Sequence, residues 1–71
     1  MQIFELEGYG FIELNKLMKI MNLVGSGGEA KQFIDEGLVL VNGQVEKQRR
    51  KKLRSGDVVS FEGEEVKVQW V

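Results

Sequence analysis

LNKLMKIMNLVGSGGEAKQFIDEGLVLVNG, residues 14–43, changes hydrophobic period twice, and those changes decide the fold. Leu14, Leu17, Met18 and Met21 fall at i, i+3, i+4 and i+7, the spacing of one helix face, while Lys16 and Lys19 point elsewhere. A first helix is therefore expected over 12–23, ended by Gly25. Ser26 followed by Glu29 has capping-box spacing, in which each side chain satisfies a backbone N–H at the start of a new helix. The second helix is expected to run to about Glu36, with Ala30, Phe33 and Ile34 facing inward and almost no linker before it. Gly37 stands where a left-handed residue closes a helix. Leu38 to Val41 then reads as a strand entering Asn42-Gly43, the dipeptide best suited to a type I′ hairpin because both positions tolerate positive φ.

The flanks continue the strand pattern. Gln2 to Leu6 alternates, with Ile3 and Glu5 on one face and Phe4 and Leu6 on the other, which predicts a short strand before Gly8. Val45 begins the return strand of the hairpin. Ser55-Gly56-Asp57 is a turn, Val58 to Phe61 a strand, Glu62-Gly63-Glu64 another turn, and Val66, Val68 and Trp70 alternate along a last strand. No proline interrupts them. The expected architecture is α+β, a single domain over 1–71 with two consecutive helices packed on a small, mainly antiparallel sheet.

Composition narrows the functions. A chain of 71 residues supports one core and no large enclosed active site. Cysteine and histidine are both absent, which excludes disulfides, thiolate or imidazole zinc sites, and serine–histidine or cysteine–histidine catalysis. The adjacent acids Asp35-Glu36 and Glu64-Glu65 lie beside turns, where carboxylates are usually solvated, so neither catalysis nor a cofactor is expected. The longest apolar stretch, Leu38 to Val41, is far short of a bilayer span, and the first residues lack a cationic, apolar, cleavable pattern; a cytoplasmic protein is expected.

The formal net charge of -1 hides three blocks. Residues 1–13 carry three acids and no cation, and residues 55–71 carry four acids against Lys67. Between them, residues 14–54 hold nine cations against Glu29, Asp35, Glu36 and Glu46, a net +5. The block culminates in KQRRKKLR, residues 47–54, where Lys47, Arg49, Arg50, Lys51, Lys52 and Arg54 make six cations in eight positions. Lying between two turns, this run is expected at the surface. A charge run can be merely a solvated face, but one sign dominates here and three members are arginine, whose planar fork suits phosphate oxygens, so contact with a polyanion is favoured. Ser26-Gly27-Gly28 opens a helix, and helix starts accept phosphate on free N–H groups; taken alone it reads as an interhelical turn, and P-loop spacing is missing. Phe4, Phe33 and Phe61 sit at inward positions, while Tyr9, Phe11 and Trp70 are open between core packing and base stacking.

Residues 13–61 resemble the S-four RNA-binding domain, also called the α-L motif. The resemblance is carried by Leu14 and Leu17, the Ser26 to Lys31 turn with Ala30, Gly37 before a hydrophobic strand, Val41-Asn42-Gly43, and Gly56-Asp57. With short flanks, the chain looks most like the small stand-alone bacterial members of the YaaA and YbcJ type. The resemblance implies a non-catalytic protein that binds structured RNA, often ribosomal RNA, with a role in ribosome assembly or translation. By position it points to Ser26, Gly27, Gly28, Lys31 and Gln32 on the second helix and to Asn42, Gly43 and Gln44 at the hairpin, completed by Lys47 to Arg54. Two positions depart from the family pattern: Glu13 stands where many members have Arg, and Leu40 where many carry a cation. Either the dense basic run compensates or the footprint has moved toward it. The alternative is a protein–protein module whose basic face docks an acidic translation-associated partner. A sulfur-carrier or ubiquitin-like role is disfavoured by the absence of a Gly-Gly end. The sequence does not set the oligomeric state.

Overall fold

Seven strands and two helices follow one another in the computed structural model, which describes residues 1–8 and 10–70. They are β1 (Gln2–Leu6), β2 (Ile12–Glu13), α1 (Leu14–Ile20), α2 (Gly27–Asp35), β3 (Leu40–Val41), β4 (Gln44–Val45), β5 (Lys52–Leu53), β6 (Val58–Phe61) and β7 (Glu64–Trp70). Five strands form one sheet in the order β1-β7-β6-β3-β4, and β2 with β5 forms a separate two-stranded ribbon. The expected α+β arrangement is present, with a mixed sheet: β1 runs parallel to β7, and the remaining neighbours are antiparallel.

The second helix keeps its expected limits because its signals are local. Ser26 is the N-cap, and its Oγ accepts the Glu29 N–H at 3.2 Å. The other half of the capping box is displaced by one residue, since Glu29 Oε1 accepts from Gly25 N–H. At the far end Gly37, at φ 78°, closes a Schellman motif: its N–H donates to Ile34 O and that of Leu38 to Phe33 O. Those bonds also shorten the expected strand 38–41 to Leu40–Val41, because the N–H groups of residues 37 and 38 finish the helix. The hairpin forms as expected, with φ 53° at Asn42 and 82° at Gly43.

The first helix is shorter than its periodicity predicts, Leu14–Ile20 rather than 12–23. Ile12 and Glu13 are held extended by pairing with Leu53 and Lys52. At the other end Asn22, not Gly25, takes the left-handed conformation, at φ 59°, and its N–H bonds Lys19 O while that of Leu23 bonds Met18 O. Residues 21–26 are therefore a real connection, with Val24 buried and Leu23 and Met21 packed against the core.

Both helices cover one face of the sheet. Leu14, Leu17 and Met18 from α1 and Ala30 and Ile34 from α2 meet Val41, Val59, Phe61, Val66 and Val68. Phe33 and Phe61 pack with ring centroids 5.0 Å apart, and Phe4 lies against the same cluster, as expected for core aromatics. Trp70, at the end of the alternation on β7, is exposed. Among the described residues no helix is long and apolar enough to cross a membrane.

Candidate nucleic-acid interface

The first N–H groups of an α-helix have no partner inside the helix. In α1 the N-cap, Glu13, offers no side-chain cap. The basic segment supplies the missing acceptors: Leu14 N–H donates to Lys51 O at 2.9 Å and Asn15 N–H to Arg49 O at 3.1 Å. The β2–β5 ribbon extends the attachment by two residue pairs. Leu53, the one apolar side chain in the run, is fully buried. Because side chains alternate along a strand, burying Leu53 turns Lys52 and Arg54 outward. Lys47, Arg49 and Arg50 are exposed as well, and Lys51 is half-buried. The run is thus a strap with fixed register, not the wholly superficial segment that its composition suggests.

Arg49 is clamped. Its Nε and Nη2 donate to Asp35 Oδ1 at 3.1 Å and Oδ2 at 2.8 Å, a bidentate pair with both side chains partly exposed. The Arg49 hydrogen bonds hold the Asp35 carboxyl below its ordinary value, opposed by slight desolvation and aided by the charges of Arg49 and Lys31. Asp35 and Arg49 thus join α2 to the strap, with Lys31 one helical turn before Asp35. Replacing Arg49 with Gln is expected to raise the Asp35 titration midpoint, read from its side-chain carboxyl shift by NMR. The sign follows from the lowered value: with Arg49 present the clamp favours the fold above the unfolded carboxyl pKa and is lost as pH falls through the folded one. A midpoint unmoved by the substitution would show that the clamp does not persist in solution.

The other cations of the run make no ion pair among the described residues. Lys52 Nζ stands 5.0 Å and the Arg54 guanidinium 5.8 Å from the centre of the Phe11 ring, and Arg54 Nη1 reaches Gly10 O at 3.4 Å. Tyr9, the neighbouring aromatic, lies outside the described residues.

The start of α2 presents a second feature. A Cβ at Gly27 would meet nothing within 4 Å, and one at Gly28 only Ser26 Oγ at 3.8 Å, so the backbone is open to approach there. Lys31 and Gln32 are exposed beside it. Eight residues of helix separate Gly27 from Asp35, about 12 Å along the axis, with Lys31 midway. At the hairpin, Asn42 Oδ1 accepts from Val58 N–H at 2.9 Å and its Nδ2 donates to Asp57 Oδ1 at 3.0 Å. Its amide therefore holds the turn on β6, while Gly43 and Gln44 project. Asp57 also accepts the Arg54 N–H at 2.8 Å, which links the hairpin to the end of the strap.

The profile of the S4 domain matches residues 4–69. The chain belongs to the S4 domain family. The match takes in the second half of β1 and nearly all of β7, beyond the 13–61 stretch that carries the family's motifs. Among its relatives, the putative RNA-binding protein YbcJ of Escherichia coli (strain K12) is 41% identical over 68 residues, covering 96% of this chain and 97% of that protein. The probable ribosome maturation protein RlbA of Bacillus subtilis (strain 168) is 44% identical over 52 residues, 73% of each chain. The solution structure of YbcJ from E. coli, described as revealing an alfaL motif involved in RNA-binding, superposes with a TM-score of 0.74 at 40% identity, covering 97% of this chain and 87% of that one.

Within this S4 domain the two departures from the family pattern have distinct settings. Glu13 is half-buried in the ribbon and pairs with Lys16 at 3.6 Å. Leu40 sits in the sheet between Val45 and Ser60. Two contributors to the site escape a reading of the sequence, Asp35 as the partner of Arg49 and Leu53 as the anchor, while Phe11, left open between core packing and base stacking, lies beneath Lys52 and Arg54. Of the two missed, Leu53 leaves a trace there, as the lone apolar residue among cations.

Proposed function

We propose that this protein binds folded RNA, ribosomal RNA in particular, without catalysing a reaction, and serves ribosome assembly or translation in the cytoplasm. The observation that carries the reading is the strap: a dense cationic run whose backbone is committed to α1 and the core, leaving its charged ends outward. The names of the relatives support the same reading, one a putative RNA-binding protein and one a probable ribosome maturation protein. In this reading Lys47, Arg50, Lys51, Lys52 and Arg54 neutralise phosphates and release counterions, while Arg49 holds the strap to α2 and offers its remaining N–H groups. Ser26, Gly27 and Gly28 receive a further phosphate on the α2 start, with Lys31 and Gln32 beside it. Gly43 and Gln44, on the turn that Asn42 locks, complete the edge. Orientation comes from shape and 2′-OH contacts, since side chains do not read the deep groove of an RNA helix.

The test is binding of a folded ribosomal RNA fragment across a salt series. With four to six phosphates engaged, log affinity falls against log salt with a slope of roughly -3 to -5. A flat response would exclude phosphate contact as the main term. In the source cell, crosslinking and sequencing of the bound RNA is expected to enrich ribosomal RNA; scattered messages would instead indicate a general RNA binder.

A further inference from the structure

Beside the strap, an open groove of about 520 Å³ runs between β1 and α1. Phe4, Glu5, Leu6 and Glu7 all line it. Glu7 lies just past the end of β1, but Phe4, Glu5 and Leu6 are consecutive in the strand and point to alternate faces, so all three line one groove where it meets the edge of the strand. That edge is free among the described residues, where β7 is the sole neighbour of β1 in the sheet. The opposite wall is apolar, formed by Phe11, Ile12 and Ile20, of which Phe11 is 38% and Ile20 57% exposed. Its lining carries Glu5, Glu7 and Glu13 against one cation, Lys16, already paired to Glu13, while Lys52 and Arg54 stand over Phe11 at the strap end.

Charged residues on an edge strand often serve only to prevent unwanted pairing. That role does not require an apolar trough beside the edge, and it leaves the exposure of Ile20 without a reason. Free backbone donors and acceptors, apolar sockets and an acidic surround together describe the site of an added strand. The acidic surround disfavours RNA phosphates and favours a cationic occupant.

We propose that this groove takes an extended cationic peptide segment of a partner protein, with alternate apolar side chains, which adds to β1 as a sixth strand of the sheet. Main-chain hydrogen bonds to the edge hold the segment, its apolar residues enter between Leu6, Phe11 and Ile20, and its cations meet Glu5 and Glu7. The site meets the strap at one end, where Phe11 lies beneath Lys52 and Arg54, but it does not depend on the RNA-binding reading.

The experiment titrates the isotope-labelled full chain with a capped synthetic heptapeptide of alternating lysine and valine. Amide shifts are expected to gather at residues 3–7 and 11–20, and β1 amides should gain protection from hydrogen exchange. Replacing both exposed acids, Glu5→Lys with Glu7→Lys, should weaken the peptide about tenfold, with the thermal midpoint and the affinity for a folded ribosomal RNA fragment retained. The same peptide N-methylated at alternate residues should bind at least tenfold more weakly, since it cannot complete the ladder. Equal binding of the N-methylated peptide overturns the proposal, because attraction would then be charge alone. So do peptide-induced shifts centred on 47–54, groove shifts that follow protein concentration without peptide, which mark a second copy, or groove shifts produced by a short oligouridylate.

Discussion

Replacing Leu53 with alanine is expected to lower the thermal midpoint by about 12–24 °C. The side chain is fully buried between two outward cations, and removing it deletes apolar contact and leaves a cavity, a loss of about 3 kcal/mol for a core leucine. A chain of 71 residues has a total stability of about 4–10 kcal/mol, so one side chain accounts for a large share. Each kcal/mol moves the midpoint of so small a domain by about 4–8 °C. The loss also reaches beyond the cavity, since Leu53 fixes the register in which the Lys51 and Arg49 carbonyls meet the first turn of α1. Lys52→Ala is the matched control: it is exposed, and the midpoint should stay within about 4 °C of the parent. Thermal unfolding followed by circular dichroism checks both. A Leu53→Ala midpoint within about 4 °C of the parent would mean that the strap is not anchored in the core.

The second large effect separates charge from architecture. Substituting alanine for Arg49, Arg50, Lys51 and Lys52 together is expected to weaken folded ribosomal RNA about 100- to 1,000-fold near 0.1 M salt, and to flatten the salt slope by about 3–4. The strap should nevertheless remain in place, because it bonds α1 through the backbone carbonyls of Arg49 and Lys51, which alanine retains. Leu53 is untouched. The clamp to Asp35 is lost, but it is an exposed pair, and pairs of that kind add little stability. The variant should therefore fold with a nearly parental midpoint and fail to bind, the reverse of a stability defect. An affinity within about threefold of the parent would move the interface away from the strap and toward the start of α2.

How far the sequence could be read depended on the distance between cause and effect along the chain. The limits of α2 were legible, because Ser26, Glu29 and Gly37 act within one turn of where they sit. The Asn42-Gly43 turn was legible for the same reason, as were the inward Phe4, Phe33 and Phe61. Periodicity misplaced the ends of α1, because Ile12 and Glu13 satisfy a helix pattern and a strand pattern equally well. What decided between them was Leu53, far along the chain, pairing with Ile12. The start of α2, the hairpin and the basic run were likewise all visible as features. Their arrangement was not: Asp35 had read as a solvated turn acid, yet it binds Arg49 and ties the run to α2.

By itself, then, the sequence determined the α+β class, the second helix, the hairpin and the existence of a bounded cationic block, since each follows from spacing, capping or turn chemistry within a few residues. Only the tertiary structure decided that β1 lies parallel to β7 from the far end of the chain, that the cationic run hangs from a buried Leu53, and that a free strand edge faces an apolar groove. The strand pairing, the free edge and the attachment of the run to α1 rest on which backbone N–H and C=O groups find partners across the fold. Every residue carries the same such groups, so their pairing leaves no mark in the order of side chains.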